Sequence, residues 1–164
     1  MNFIELSKKR FTVRKFSDVP VEKEKLDKML EAGNTAPTAK NLQPQRIYVL
    51  QSKEALDKVD TLTPCRYGAG TVLLFTYNGD EDWIHSGVED VSIVATHVML
   101  QAAELGVDTT WINFFGNAEL EKVFNLPENE HSVLLMSVGY RPEGTEPFPT
   151  HEQKKSLDEI VTYL

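Results

Sequence analysis

A wide apolar surface on one predicted helix constrains the fold of this chain more than any other feature. Segment 89–106 places apolar residues at helical spacing on one face, with further apolar residues beside it. These residues are Val91, Val94, Ala95, Val98, Ala102 and Leu105, flanked by Ile93, Met99, Leu100 and Ala103. An arc this wide predicts burial on more than one side, against the core and a subunit interface. We interpret His97, on the remaining polar strip, as a structural or interface residue rather than a catalyst.

Shorter periodic segments predict a mixture of helices and strands around this helix. Runs rich in β-branched and aromatic residues predict strands at 46–50, 71–77, 108–112 and 133–138. Helical spacing predicts helices at 22–32, 53–61 and 118–124. Gly33 is expected to cap the first of these helices at its C-terminus, and Asn117 to cap the last at its N-terminus. With 164 residues and no linker or repeat, residues 1–164 are predicted to form one α+β domain.

The bulk composition argues against several classes of protein. The net charge is −8, whereas nucleic-acid binding calls for a broad basic face. The single cysteine, Cys65, cannot form an internal disulfide, and no apolar run approaches the roughly 20 residues of a membrane span. The four histidines show no ligand spacing with one another or with Cys65, so we expect no metal site. We expect a cytoplasmic protein without a membrane or nucleic-acid partner.

A basic cluster near the N-terminus departs from the acidic average. In an extended segment Arg10, Thr12 and Arg14 would lie on one side, while Phe11 and Val13 would turn into the core. Arginine provides a planar fork of donors for a phosphate or carboxylate, and a threonine hydroxyl adds a neutral donor. We interpret the cluster as an anion clamp. A solvated basic patch or a nucleic-acid tail is the alternative interpretation of the same residues.

Five segments, in order along the chain, resemble motifs of the FMN-dependent nitroreductase family. Residues 9–16 resemble the Arg-Arg-Ser-x-Arg-x-Phe signature, with phenylalanine for the second arginine and threonine for the serine. Residues 36–44 resemble the Ala-Pro-Ser-x-x-Asn-x-Gln-Pro loop. Residues 90–106 resemble a long family helix, 139–140 its Gly-Tyr-Pro segment, and 154–161 its Arg-Lys-Pro-Leu-Glu-Glu-Ile-Val ending. The chain is thereby identified as a short member of that family.

This resemblance implies an architecture and an assembly. The expected fold is a three-layer α/β/α arrangement with a central, mostly antiparallel sheet and a long buried interface helix. A C-terminal extension is expected to lie on the partner subunit. The resemblance also implies a homodimer that holds FMN at the subunit interface.

The resemblance assigns cofactor-binding roles to residues near the N-terminus. Arg10, Phe11, Thr12 and Arg14 match the phosphate-binding signature. Arg14 is our candidate for placing positive charge at the N1/O2 edge of the flavin ring. The family's second loop reaches the flavin of the other subunit, so that role passes to Pro37, Thr38, Ala39 and Asn41.

Further cofactor contacts are implied in the second half of the chain. The backbone N–H of Asn113 matches a family donor to flavin N5, and Phe114 stands where many members carry glycine. Lys154, with Lys155 as a substitute, matches the basic residue that closes on the phosphate. Arg66 lies where relatives place a basic residue near the ring, and we retain it as a further candidate.

No catalytic triad is apparent, so a bound cofactor must carry the chemistry. The resemblance implies ping-pong electron transfer from NADH or NADPH through FMN to a nitroaromatic, a quinone or a similar small acceptor. Two alternatives remain: a flavin storage or sensing protein, and a relative that catalyses dehalogenation or desaturation. Only segment 78–88 separates the second strand from the long helix, which is too short for the two lid helices of longer relatives. We therefore expect an open flavin face.

Overall fold

The structure, a computed structural model, describes all 164 residues and contains six helices and four strands. The helices are α1 Phe3–Lys9, α2 Lys23–Asn34, α3 Lys53–Leu62, α4 Gly87–Glu104, α5 Asn117–Phe124 and α6 Leu157–Ile160. The strands are β1 Gln45–Leu50, β2 Thr71–Asn78, β3 Asp108–Ile112 and β4 Glu130–Gly139.

The four strands form one antiparallel sheet in the order β1, β2, β4, β3. Strand β4 is last in sequence but central in the sheet, where it pairs with β2 on one side and β3 on the other. Beyond β3, residue Thr12 makes a single parallel bridge to Thr109, so the N-terminal segment covers part of that edge.

Alternating residues of the sheet build two hydrophobic clusters on its opposite faces. Leu73 and Phe75 of β2 point towards α2 and α4, where the larger cluster includes Met29 and Val98. The neighbouring residues of the same strand, such as Leu74, join the smaller cluster formed with α3 and α5. Helices therefore cover both faces, and the expected three-layer α/β/α fold is confirmed.

Two of the predicted helix caps, Gly33 and Asn117, were wrong. Gly33 lies inside α2 and does not cap it. A Cβ at this position would lie 2.7 Å from Cγ2 of Val98, so the glycine permits close approach of α2 and α4. Asn117 is the first residue of α5, and its side-chain amide donates to the carbonyl of Ser132 at 2.5 Å. By contrast, Ser52 caps α3 as expected, accepting from the N–H of Ala55.

The connection between β2 and α4 contains only two short 3₁₀ turns, Gly79–Glu81 and Trp83–His85. Helix α4 then buries the predicted face, including Val91 and Val98, against the sheet. Its second apolar flank is less well covered, and Ile93 remains exposed.

Candidate functional site

The predicted anion clamp is fixed against the edge strand β3. The N–H of Val13 donates to the carbonyl of Thr109 at 3.3 Å, and the hydroxyl of Thr110 donates to the carbonyl of Val13. Val13 is fully buried, as the alternating pattern predicts, and it packs with Phe16 in a small cluster. The backbone of the clamp is therefore held by the sheet, which leaves its polar side chains free to contact a ligand.

Phe11 was expected to turn into the core, and it does so only in part. The Arg141 guanidinium lies 4.7 Å from the centroid of the Phe11 ring, and the His151 ring meets it edge-on at 6.0 Å. Phe11 is partly buried and packs against the small cluster of Val13, Phe16 and Ala69. Phe11 lines two separate cavities. Arg10 also lines the first of them, and Arg14 also lines the second.

A basic cavity of about 330 Å³ lies between the end of α1 and the C-terminal segment. Its lining residues are Phe3, Ile4, Ser7, Lys8, Arg10, His151, Glu152 and Lys154. No carboxylate pairs with Arg10, and burial lowers the pKa of its guanidinium below the ordinary value. The group stays charged at neutral pH because arginine begins from a very high pKa. A partly desolvated, unpaired cation beside further cations favours the binding of an anion.

Thr12 and Arg14 line a neighbouring cavity of about 130 Å³. The Arg14 guanidinium lies 4.5 Å from the centroid of the Phe148 ring, which contributes to the same cavity. The structure thus brings Thr12 and Arg14 together and places Arg10 next to them, with His151 bordering both cavities.

The C-terminal segment reaches the clamp through contacts that the sequence analysis missed. Nε2 of His151 lies 2.9 Å from the carbonyl oxygen of Lys8, and Nζ of Lys154 donates to the carbonyl of His151 at 2.7 Å. Lys154 lines the basic cavity, whereas Lys155 does not. His151 is 143 positions from Lys8, so no local motif could reveal the pair.

The Pro37 to Asn41 loop lies elsewhere, at the N-terminal end of α4. The N–H of Ala39 donates to the Asp90 carboxylate at 2.8 Å, and Thr38 accepts from the N–H of Gln43 at 3.0 Å. Within this turn Lys40, Asn41 and Gln43 all have left-handed backbone conformations. The exposed side chains of Pro37 and Asn41 are free to meet a ligand or another chain.

This loop and the clamp lie near opposite ends of α4. Asp90 holds the loop. Ala103 and Gly106, by contrast, line a cavity together with Arg10, and this cavity is separate from the basic cavity described above. The stretch of α4 from Asp90 to Ala103 spans about 20 Å at a rise of about 1.5 Å per residue. The structure therefore does not bring the loop residues to the clamp of their own chain.

Asn113 follows the last residue of β3, and its backbone N–H makes no hydrogen bond within the chain. Its side chain is engaged, because Oδ1 accepts from the Trp111 indole and Nδ2 donates to the carbonyl of Val133 at 3.3 Å. Asn113 lies four residues beyond Thr109, the position that pairs with Thr12, and hence about 13 Å from that pairing along the direction of β3. The adjacent Phe114 is 71% exposed.

Arg66 is largely occupied by contacts within the chain. Its guanidinium forms a bidentate pair with Asp60 at 2.7 and 2.6 Å, and it also donates to the carbonyl of Ala69 at 2.7 Å. The hydrogen bond with Asp60 raises the pKa of this arginine further. These contacts indicate a structural role in fixing the turn before β2.

The structure contains neither a helix suited to crossing a membrane nor a side-chain cluster suited to holding a metal ion. None of the helices combines the length and apolarity needed to cross a membrane. No group of three or more His, Cys, Asp or Glu side chains is arranged to hold a metal ion. The structure is thus a three-layer α/β/α protein in which two cavities lined by basic side chains lie beside the N-terminal segment.

Comparison with known proteins identifies the family. The sequence profile of the Nitroreductase family matches residues 7–66 and 65–140. A nitroreductase family protein from Clostridium difficile 630 is 38% identical, with a TM-score of 0.93 over 99% of this chain and 98% of that chain. This chain belongs to the nitroreductase family.

Two further relatives extend the likeness. An FMN-dependent nitroreductase from Clostridium difficile R20291 is 28% identical, with a TM-score of 0.81 over 98% of both chains. A protein from Archaeoglobus fulgidus is 27% identical over 92% of this chain and 91% of its own length. It carries the provisional name NADH dehydrogenase/NAD(P)H nitroreductase.

Proposed function

We propose that this chain is an FMN-dependent oxidoreductase that passes electrons from NADH or NADPH to a nitroaromatic, a quinone or a similar small acceptor. One observation carries the proposal: Arg10 is partly buried without a carboxylate partner, in a cavity that Lys8 and Lys154 also line. A phosphate would satisfy these cations with charge-assisted hydrogen bonds. The FMN-dependent relative and the name NAD(P)H nitroreductase indicate which cofactor and donors to test.

The remaining polar groups fit the rest of FMN. Thr12 and Arg14 line the neighbouring cavity, so they can bind the part of the cofactor that follows the phosphate. The unpaired N–H of Asn113 lies just beyond the end of β3 and suits an acceptor on the ring. Pro37, Thr38, Ala39 and Asn41 are assigned to the ring of the other subunit's cofactor, as the family resemblance implies. Lys154 rather than Lys155 is assigned to the phosphate, because only Lys154 lines the basic cavity.

We further propose that the active unit is a homodimer and that each chain folds as a single domain. The support is the apolar surface that a single chain leaves uncovered: Phe3 and Ile4 on α1, Leu157 and Ile160 on α6, and Ile93 on α4 are exposed. The separation of the loop from the clamp along α4 is consistent with two sites, each built from both chains. Pairing through α4 and α6 would use the predicted interface helix and the C-terminal extension.

When bound, FMN supplies the hydride chemistry, by accepting from the nicotinamide and then donating to the acceptor. The protein orients the ring through the Asn113 N–H and places positive charge near it through Arg14. Residues 79–85 form only short turns, so this segment would leave one face of a bound ring accessible. Donor and acceptor would use that face in turn, which is a ping-pong scheme. We place the enzyme in the cytoplasm, where NADH and NADPH are available.

The decisive experiment is the absorbance spectrum of the purified protein, followed by anaerobic addition of NADH or NADPH. We expect a bound flavin band that bleaches rapidly and returns when a quinone or nitroaromatic is added. A protein without flavin that cannot be loaded with FMN would contradict the proposal. A bound flavin that neither donor bleaches would instead identify the storage or sensing alternative.

A further inference from the structure

Phe148 is an aromatic residue of the C-terminal segment that contacts the clamp and has no part in the proposed cofactor site so far. The Arg14 guanidinium lies 4.5 Å from the centroid of its ring, and both residues line the cavity of about 130 Å³ together with Thr12. A cation at this distance from the face of an aromatic ring is attracted to it. Phe148 lies outside every segment that matches a family motif, so the resemblance assigns it no role.

The local sequence fixes the backbone that carries this ring. Pro147 and Pro149 flank Phe148, and a residue that precedes proline is restricted to extended or polyproline conformations, as its φ of −60° and ψ of 146° show. The Phe148 carbonyl accepts from the N–H of His151 at 2.8 Å, and Nε2 of His151 lies 2.9 Å from the Lys8 carbonyl oxygen. The ring is 58% exposed, yet its backbone is tied to α1 through one short turn.

Arg14 has no carboxylate to hold its side chain. It is exposed and takes part in none of the ion pairs of the protein. The neutral Tyr67 phenol also lies near it: a hydrogen bond with Cys65 and burial raise the pKa of Tyr67, and Arg14 opposes that rise. A long exposed side chain samples many rotamers, and a ligand that fixes it must offset that entropy. Contact with Phe148 restricts this freedom before a ligand arrives.

The aromatic contact also leaves the guanidinium able to bind a ligand. An aromatic ring attracts the cation but, unlike a carboxylate, it does not neutralise the charge or take up the fork of N–H donors. Arg14 therefore keeps its charge and its donors for an electron-rich group that enters the same cavity.

We infer that Phe148 is a positioning residue that acts through Arg14, holding the guanidinium where the N1/O2 edge of the flavin ring lies. The inference rests on the proposed function, which places the positive charge of Arg14 near the ring. Negative charge accumulates at this edge when the ring is reduced, so a cation held there binds reduced FMN more tightly than oxidised FMN. Loss of the Phe148 ring then lowers the midpoint potential of bound FMN.

The test compares Phe148→Leu with the matched variant Phe148→Tyr. Leucine keeps an apolar side chain without a ring face, whereas tyrosine keeps the ring, so the pair separates the cation contact from apolar covering. A cation–π contact at an exposed site corresponds to about a two- to fivefold change in affinity. At about 30 mV per tenfold for a two-electron couple, the midpoint potential should fall by about 10–20 mV in Phe148→Leu. It should keep the wild-type value in Phe148→Tyr.

A second background tests whether Phe148 acts through Arg14. Arg14→Gln removes the charge, so adding Phe148→Leu to this variant should cause no further change in the midpoint potential measured at saturating FMN. The protein without cofactor gives an independent measurement. The aromatic ring shifts the NMR signal of the Arg14 Nε–H, and this shift should be lost in Phe148→Leu and kept in Phe148→Tyr.

The outcomes separate this inference from the function on which it rests. If FMN binds but Phe148→Leu keeps the wild-type potential, or changes it equally in the Arg14→Gln background, the role of Phe148 is overturned and the proposed function stands. An Arg14 NMR signal that is the same in wild type and Phe148→Leu overturns that role as well. Wild-type protein that binds no FMN would overturn both. The expected potentials, with rescue by tyrosine, support both.

Discussion

The two ends of the candidate site are built in different ways. At the clamp, residues from opposite ends of the chain meet: His151 bonds to the Lys8 carbonyl, Phe148 stacks on Arg14, and β3 fixes the backbone of Val13. At the Pro37 to Asn41 loop, the Ala39 N–H bonds to Asp90 and Nζ of Lys40 lies 4.0 Å from the centroid of the Trp83 ring, while the side chains of Pro37 and Asn41 are exposed.

This difference indicates which parts of the site a single chain can complete. The clamp already has its cations, its walls and its C-terminal segment in place. The loop has a strained turn held by Asp90, with the exposed apolar residues Leu42 and Trp83 beside it. The comparison supports our proposal that one chain supplies the phosphate end and its partner supplies the loop.

The largest effect is expected from reversing a charge at the clamp. Arg10→Glu should give folded protein that purifies without flavin, because a charge-assisted contact contributes about 1.5–3 kcal/mol and reversal adds repulsion. FMN affinity should fall at least about a hundredfold. Lys28→Glu makes a similar change on the exposed surface of α2 and should bind FMN normally. Unchanged affinity in Arg10→Glu would show that the phosphate binds elsewhere.

The next effect tests whether each site uses two chains. Arg14→Glu breaks the clamp and Asn41→Trp blocks the loop, so either homodimer should be empty. In a mixed dimer, one site receives the intact clamp from the second variant and the intact loop from the first, while the other site collects both defects. We expect half occupancy by FMN.

The measurement is FMN per chain in isolated heterodimers carrying two different tags. Wild-type dimers prepared with the same pair of tags are the control and should be fully occupied. Mixed dimers as empty as the parents would show that the clamp and the loop of one chain serve the same site.

A smaller effect is expected from releasing the loop. Asp90→Ala leaves the Ala39 N–H without its acceptor, which should cost about 1–3 kcal/mol in the free energy of unfolding, whereas the Ser86 hydroxyl can still donate to the Trp83 carbonyl. FMN affinity should fall less than about tenfold, since the clamp is intact. Asp90→Asn keeps one acceptor oxygen and should lose less than half as much stability. Chemical denaturation and FMN titration measure both quantities, and equal losses in the two variants would argue against this tether.

The smallest effect concerns acceptor choice at the open ring face. With only short turns between β2 and α4, little protein surface is available to select among acceptors by size. Values of kcat/KM for quinones and nitroaromatics of different bulk should therefore lie within about tenfold of one another. Strong preference for one size would indicate that another part of the dimer covers the ring.

Features with a regular period could be predicted from the sequence. The two-residue period of an extended segment placed Val13 in the core, and the helical period identified the buried face of α4. Both predictions worked because the pattern of buried positions repeats with the geometry of each element. The capping role of Ser52 was also predictable, since it depends on residues three positions apart. The clamp and loop assignments came from motif resemblance, and their contacts with a cofactor remain predictions.

Features that depend on distant contacts were missed. Phe11 packs against Val13 and also contacts Arg141 and His151, and alternation alone cannot reveal these last two contacts. Gly33 satisfied the rule for a helix cap, yet its role is to let α2 approach Val98. In each case the deciding neighbour is far away in sequence, so local patterns carry no information about it.

The central position of β4 has a consequence for how the protein is made. During synthesis β1 and β2 can pair early, but the inner edge of β2 has no partner until Glu130–Gly139 has left the ribosome. Until then the apolar residues Val72 to Phe75 are exposed on an open strand, which is the situation that favours aggregation of nascent chains. Completion of the clamp comes later still, because it requires His151. Chaperone protection of the nascent chain, and slow folding typical of long-range strand pairing, follow from this order of strands.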